Sequence, residues 1–289
     1  MNLSEPTTSA DLAGAGTAGV VTVIRPTKRW IPVDVQEIWR YRELLYFLAW
    51  RDIKARYKQS ILGAGWAIVQ PLLAMVVFTI FFGRLAKIPS DGNPYPIFVY
   101  AALLPWTFFA TAVSSSGLSF VNNMNLLTKV YFPRVLVPVS ALAVATVDFC
   151  IAFLIYLGLM VYYAVVPGWS FLLIPVLVAA TMTAALGTGL ALAVLTVRFR
   201  DTRAIIPFLM QIWMYATPVV YPTSIVPDRY RLLFAVNPMV GIIEGFRGAL
   251  LNQPIPWQHF GTSVGVSLAL LGISLLYYGR MEREFADVI

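Results

Sequence analysis

Four cations stand within eight residues, at Arg51, Lys54, Arg56 and Lys58. On a helix, Arg51, Lys54 and Lys58 share one face, three to four residues apart, so they can meet one anionic group together. Arg56 lies off that face. The same charges would also suit anchoring to anionic lipid headgroups. Asp148 is the only acid inside a long apolar run. A charge at the centre of a bilayer costs about 2.5–3.5 kcal/mol on insertion scales, so Asp148 must face protein or water. It reads either as a group on a transport path or as a hydrogen-bond partner between helices, to Thr146 or to a serine on a neighbour. Cys150 is the single cysteine and His259 the single histidine. An internal disulfide is therefore excluded, and no metal site is expected. His259 reads as an exposed loop or interface residue. No G-x-x-x-x-G-K-S/T run occurs, so the chain lacks the usual phosphate-cradling loop for ATP. No Asp-x-Asp pair is present to hold a metal–nucleotide sugar.

The elements that must carry these groups are apolar. Hydrophobic residues make up 59% of the 289 positions and charged residues 12%, about half the charged share of a soluble domain. The expected fold is an all-α membrane protein. Residues 1–33, rich in small polar residues, read as a disordered cytoplasmic tail. Residues 34–60 read as an amphipathic interface helix with Ile38, Tyr41, Leu45, Leu48 and Ala49 on one face. Residues 61–289 read as a six-span domain, since a crossing needs about 20 apolar residues. The expected spans are Ile61–Phe82, Ile97–Phe120, Val135–Val166, Phe171–Val197, Ala204–Tyr221 and Gly261–Gly279, with a kink at Pro105. Between the last two, the proline-broken stretch Pro222–Trp257 reads as an outer re-entrant hairpin. With the N-terminus inside, 16 lysines and arginines fall on the inner side and 5 on the outer. The positive-inside rule then places both termini in the cytoplasm. It also explains the net charge of +7 without nucleic acid.

Three inner elements stand in order along the chain. The first is Arg51-Asp52-Ile53-Lys54-Ala55-Arg56-Tyr57-Lys58, followed by Ser60-Ile61-Leu62-Gly63-Ala64-Gly65-Trp66 and Gln70-Pro71. The second is Asn122-Asn123 with Leu126-Leu127-Thr128-Lys129-Val130-Tyr131-Phe132-Pro133-Arg134. The third is Val197-Arg198-Phe199-Arg200-Asp201-Thr202. Outer motifs accompany them at Thr217-Pro218-Val219-Val220-Tyr221-Pro222, Asn237-Pro238-Met239 and Glu244-Gly245-Phe246-Arg247. Together they resemble the membrane subunits of ABC exporters for polysaccharides, the O-antigen, capsule and teichoic-acid translocators. The resemblance runs from Arg51 to the last span.

It implies a permease in the plasma (inner) membrane that catalyses no bond chemistry. The implied partners are a second copy of the chain and two copies of an ABC ATPase subunit. ATP and magnesium are expected on that partner and no cofactor on this chain. The loop between the second and third spans is then the ATPase contact, through Asn122, Asn123, Leu126, Leu127 and Lys129. Arg198, Arg200 and Asp201 form a further cytoplasmic loop. The implied cargo is a glycan on a polyprenyl diphosphate. Arg51, Lys54, Arg56 and Lys58 would receive the diphosphate at headgroup depth. Tyr100, Trp106, Phe108 and Phe109 would line a glycan channel by stacking on sugars, or else belong to an aromatic belt and core. The alternatives are an ABC exporter subunit for drugs or small lipids, a membrane-embedded glycosyltransferase, and a scaffold. A glycosyltransferase would need convergent acids or a metal site, which the sequence does not display.

Overall fold

The computed structural model describes residues 35–58, 65–230, 234 and 236–288. The expected disordered tail and the first residues of the first expected span lie outside the described residues. Helices dominate, and no strand occurs among the described residues. We number the helices α1 (Val35–Arg40), α2 (Arg42–Lys58), α3 (Gly65–Phe78), α4 (Tyr95–Gly117), α5 (Ser119–Asn122), α6 (Met124–Leu127), α7 (Leu136–Tyr162), α8 (Ile174–Arg198), α9 (Thr202–Tyr215), α10 (Pro238–Leu250) and α11 (Trp257–Val288). A π-helical turn, Thr79–Leu85, extends α3.

Among the described residues, five helices are long and apolar enough to cross a membrane: Gly65–Leu85, Tyr95–Gly117, Leu136–Tyr162, Trp169–Arg198 and Trp257–Met281. The fifth expected span differs. Helix α9 has 14 residues, which at 1.5 Å per residue reach about 21 Å, short of a hydrocarbon core of about 30 Å. Its chain leaves the helix at Ala216, and Thr217 to Tyr221 run on as turns and bends.

Helix α4 is the centre of the bundle, packing against α7, α8 and α10. In its most apolar stretch 78% of the residues are buried, against 11% in Gly65–Leu85, although the latter is the more hydropathic. Small residues permit the close crossings, as membrane helix pairs require. A Cβ at Gly187 would lie 2.8 Å from the Leu271 backbone, and Ser274 Oγ donates to the Gly187 carbonyl at 2.7 Å. Threonines in the spans satisfy themselves locally. Thr146, Thr181, Thr188 and Thr196 each donate to the carbonyl four residues back, which removes the cost of a bare hydroxyl in an apolar setting.

Two regions flank this scaffold. At the lysine- and arginine-rich end, a cluster of Phe120, Leu127, Phe132, Leu136, Tyr278 and Met281 gathers the loop after α4 and the end of α11. The expected apolar face of α1–α2 packs on that cluster through Ile38, Tyr41 and Leu45, and Leu48 is buried. That face therefore meets protein, while Trp39, Tyr46, Phe47 and Trp50 are exposed on the other side. At the opposite end α10 is buried along most of its length, with Phe246 edge-on to Phe149 of α7 at 6.2 Å. Asn237 caps α10 by accepting from Met239 N at 3.0 Å. Gly241 is needed there, because a Cβ would meet the His259 carbonyl.

Candidate functional site

The first inner motif lies on α2, which packs along α7. Arg51 spends its guanidinium inside the chain. Its Nε and Nη2 donate to Asp52 Oδ1 at 2.9 and 2.7 Å, and Nη2 also donates to Asn123 Oδ1 at 2.5 Å. Asn123 sits at the break between α5 and α6, where its Nδ2 donates to the Ser119 carbonyl at 2.9 Å. Arg51 thus ties α2 to the loop after α4. Arg56 is also engaged, by Asp148 at 2.7 Å. Lys54 and Lys58 are exposed, and among the described residues they form no ion pair. A cavity of about 500 Å³ lies between α2 and the α4–α5 corner, walled by Arg51, Arg56, Ser115, Asn122 and Asn123.

Asp148 has partners other than those expected. Thr146 bonds its own helix. The carboxylate instead accepts from Tyr57 Oη at 2.6 Å and pairs with Arg56, both from α2. Burial first, and then the bond to Asp148, push the Tyr57 hydroxyl above its ordinary pKa, so it stays a donor. The acid is therefore neutralised from outside the bundle, 91 residues away in sequence. The group borders a cavity of about 250 Å³ with Gln70, Thr107, Thr111 and Phe108.

The four aromatic residues expected to line a channel are buried in the core of the chain itself. Tyr100 stacks on Tyr156 at 6.1 Å and donates to the Ala152 carbonyl at 3.3 Å. Phe108 meets Phe149 at 5.3 Å, and Phe109 meets Trp213 edge-on at 5.2 Å, with Trp106 beside it. The loop after α4 forms two four-residue turns, α5 and α6. Leu127 is buried in the end cluster and Leu126 packs beside it. The exposed residues are Asn122, Asn125, Thr128 and Lys129, together with Val130 and Tyr131. Arg198, Arg200 and Asp201 are exposed at the same end, with Arg198 over the Phe199 ring.

The opposite end holds groups to which the sequence assigned no role. Arg247 is buried; its Nη2 and Nη1 donate to the Val219 and Tyr221 carbonyls at 2.8 and 3.2 Å, and its Cζ lies 3.9 Å from the Phe98 ring centroid. Tyr95 Oη donates to the Val220 carbonyl at 2.6 Å. Glu244 accepts from Thr223, and its Oε2 lies 2.7 Å from His259 Nδ1. His259 is thus a bonded, half-buried residue rather than a loose loop side chain. The signal was present in the sequence as a charged Glu244–Arg247 pair inside an apolar stretch, but its partners are distant in the chain.

Known proteins resemble this chain along most of its length. The O-antigen export system permease of Myxococcus xanthus is 33% identical over 260 residues, 88% of this chain and 98% of its own length. An O-antigen export permease of Klebsiella pneumoniae is 24% identical over 86% of this chain and 95% of its own length. A polysialic acid transport protein of Escherichia coli is 24% identical over 78% and 85%. The family model for ABC-2 type transporters matches residues 43–251, a stretch that holds both the α2–α7 bonds and the Arg247 cluster, and the chain belongs to the ABC-2 type transporter family.

Proposed function

We propose that this chain is the membrane subunit of an ATP-driven exporter that carries a polyprenyl-diphosphate-linked polysaccharide across the plasma membrane. The observation that carries the reading is the assembly of all three inner motifs at one end of the bundle, two of them around one apolar cluster, in a chain similar to O-antigen export permeases. Two copies of the chain and two ATPase subunits form the working unit, with ATP and magnesium on the ATPase. Both termini are cytoplasmic. Helix α9 with the turn that follows it completes a sixth crossing, α10 re-enters from the outside, and α1–α2 lie in the inner interface with Trp39, Tyr46 and Trp50 toward lipid.

In this reading the exposed residues after α4, Asn122, Lys129, Val130 and Tyr131, meet the ATPase. Lys54 and Lys58 receive the diphosphate, because Arg51 and Arg56 already hold internal partners. Phe108 and Asp148 face the cavity beside them, close to where the first sugars follow. The test is ATP hydrolysis by the purified complex in lipid nanodiscs. Lipid-linked glycan from the same cells is expected to stimulate it, and Lys54→Ala with Lys58→Ala to weaken that stimulation about tenfold, as loss of two charge-assisted bonds implies. No stimulation of the wild-type complex by that glycan would refute the export reading.

A further inference from the structure

The outer end contains two adjoining cavities that share the walls Asp91 and Thr223. One, about 370 Å³, is closed by Glu244, Arg247, Gln253 and Pro222. The other, about 280 Å³, is closed by Ser224, Phe234, Val240 and His259. The 370 Å³ cavity falls within the size range of small-ligand sites. Five separate stretches of chain build them: the loop before α4, the segment after α9, helix α10, the loop that follows it, and the start of α11.

The wall is held in place by bonds among its own members. Ser224 Oγ donates to Asp91 Oδ1 at 3.3 Å, and Gln253 Nε2 to the Asp91 carbonyl at 3.3 Å. Asp91 has φ 49°, a left-handed backbone that carboxylate and amide residues tolerate best. Asn252, at φ 54°, ends α10, and Gln253 N returns to the Gly248 carbonyl at 3.0 Å. That turn presents Gln253 and Pro254 to the cavity.

The chemistry of the wall selects among ligands. Asp91 and Glu244 set two carboxylates against any phosphate or other anion. Both Glu244 oxygens already accept, from Thr223 and facing His259, so a metal ion would find a poor ligand set. A neutral ligand with many hydroxyls finds both kinds of partner. Asp91 Oδ2 and Gln253 Oε1 can accept, and Gln253 Nε2 keeps a second N–H beyond its bond to the Asp91 carbonyl. Pro222, Pro254 and Pro256 supply rigid apolar surface for the C–H face of a sugar ring.

We infer that these two cavities are successive saccharide subsites, which hold consecutive sugar units of the exported polymer as it leaves the membrane. This rests on the export reading above. Two adjoining pockets with a common wall suit a chain ligand better than a single small molecule. Each carboxylate or amide contact to a hydroxyl adds a modest increment, so the grip is weak enough to release a moving chain.

The test uses the full complex with its ATPase in nanodiscs, and two probes. The first is the cells' own surface glycan freed of lipid and diphosphate by mild acid. The second is the intact lipid-linked glycan. Asp91→Asn and Gln253→Ala are each expected to weaken binding of the delipidated glycan about 5- to 10-fold. Glu244→Gln, which also holds the wall, should weaken it further, and its melting profile separates misfolding from lost contact. Unchanged affinity for the delipidated glycan in both Asp91→Asn and Gln253→Ala overturns the subsites while leaving the export reading intact. Absence of stimulation by the lipid-linked glycan in the wild type overturns the export reading itself.

Discussion

The two ends of the bundle use arginine in opposite ways. At the inner end Arg51 and Arg56 are each partly exposed, with side-chain exposures of 39% and 45%, and each reaches one partner on another element, Asn123 and Asp148, while Arg51 also holds its neighbour Asp52. Such pairs contribute about 0–1 kcal/mol, because water screens them and long side chains lose freedom. At the outer end Arg247 is only 5% exposed and holds two carbonyls and a ring at once. Charged donors to buried carbonyls contribute about 1.5–3 kcal/mol each, and a desolvated cation–π contact about 2 kcal/mol. The comparison teaches that the inner pairs are screened by water and add little, while the outer ones hold a turn still.

The largest effect is expected from breaking the outer lock. Arg247→Met should cost roughly 3–5 kcal/mol by leaving the Val219 and Tyr221 carbonyls bare, seen as a lowered melting midpoint of the purified complex. Arg247→Lys should recover part of it, since one ammonium cannot span both carbonyls as the guanidinium fork does. A Met variant that melts like wild type would remove the contrast between the ends.

Next in size is the pair Leu127→Asp and Tyr131→Asp. Leu127 is buried within its own chain, so an aspartate there should destabilise the subunit by about 3 kcal/mol and lower its membrane yield. Tyr131 is 71% exposed; an aspartate there should leave yield intact and reduce co-purified ATPase. Equal yields and equal ATPase recovery for the two would show that this loop is not the docking surface.

A smaller effect belongs to Asp148→Asn. The amide keeps a partner for Tyr57 and loses the charge that holds Arg56, for about 1 kcal/mol after allowance for solvent. Amide hydrogen exchange in residues 42–58 should quicken about fivefold. Unchanged exchange would mean that apolar packing alone holds α2.

The smallest stability change and the sharpest distinction come from Arg51 and Asn123. Arg51→Lys and Asn123→Ala should each alter stability by about 0.5 kcal/mol or less. If Arg51 works by tying α2 to the loop, both lower export per ATP hydrolysed, and the double variant is no worse than either alone. If Arg51 instead grips the cargo, Asn123→Ala is silent and Arg51→Lys is not.

Much of this was legible in the linear pattern. Four of the five helices long enough to cross a membrane fall within a few residues of expectation: Ile97–Phe120 is Tyr95–Gly117, and Phe171–Val197 is Trp169–Arg198. The first, Gly65–Leu85, continues a stretch whose beginning lies outside the described residues. Apolar length reports crossing directly, because an unsatisfied backbone cannot enter lipid. Helix α9 fell short because an apolar run to Tyr221 was read as helix throughout, whereas Pro218 and the residues around it turn the chain after Tyr215. The site was less legible. The three inner motifs were visible as local charge and sequence, yet the spacing that puts Arg51, Lys54 and Lys58 on one face does not tell which of them is free.

By itself the sequence determined what is apolar, how long each apolar run is, and which end carries the positive charge; those are local properties of consecutive residues, and they suffice for membrane class, while the ordered motifs pointed to the family. The tertiary structure decided which helix sits at the centre. Lipid tails and a protein core are equally apolar, so hydropathy cannot tell Tyr95–Gly117, the buried axis, from Gly65–Leu85, the exposed one. It also decided every polar partnership that matters: Asp148 with Arg56 and Tyr57, Arg51 with Asn123, Glu244 with Thr223 and His259. A charge in a membrane must find a partner, but several are within reach by composition alone, and only the packing of distant segments selects one.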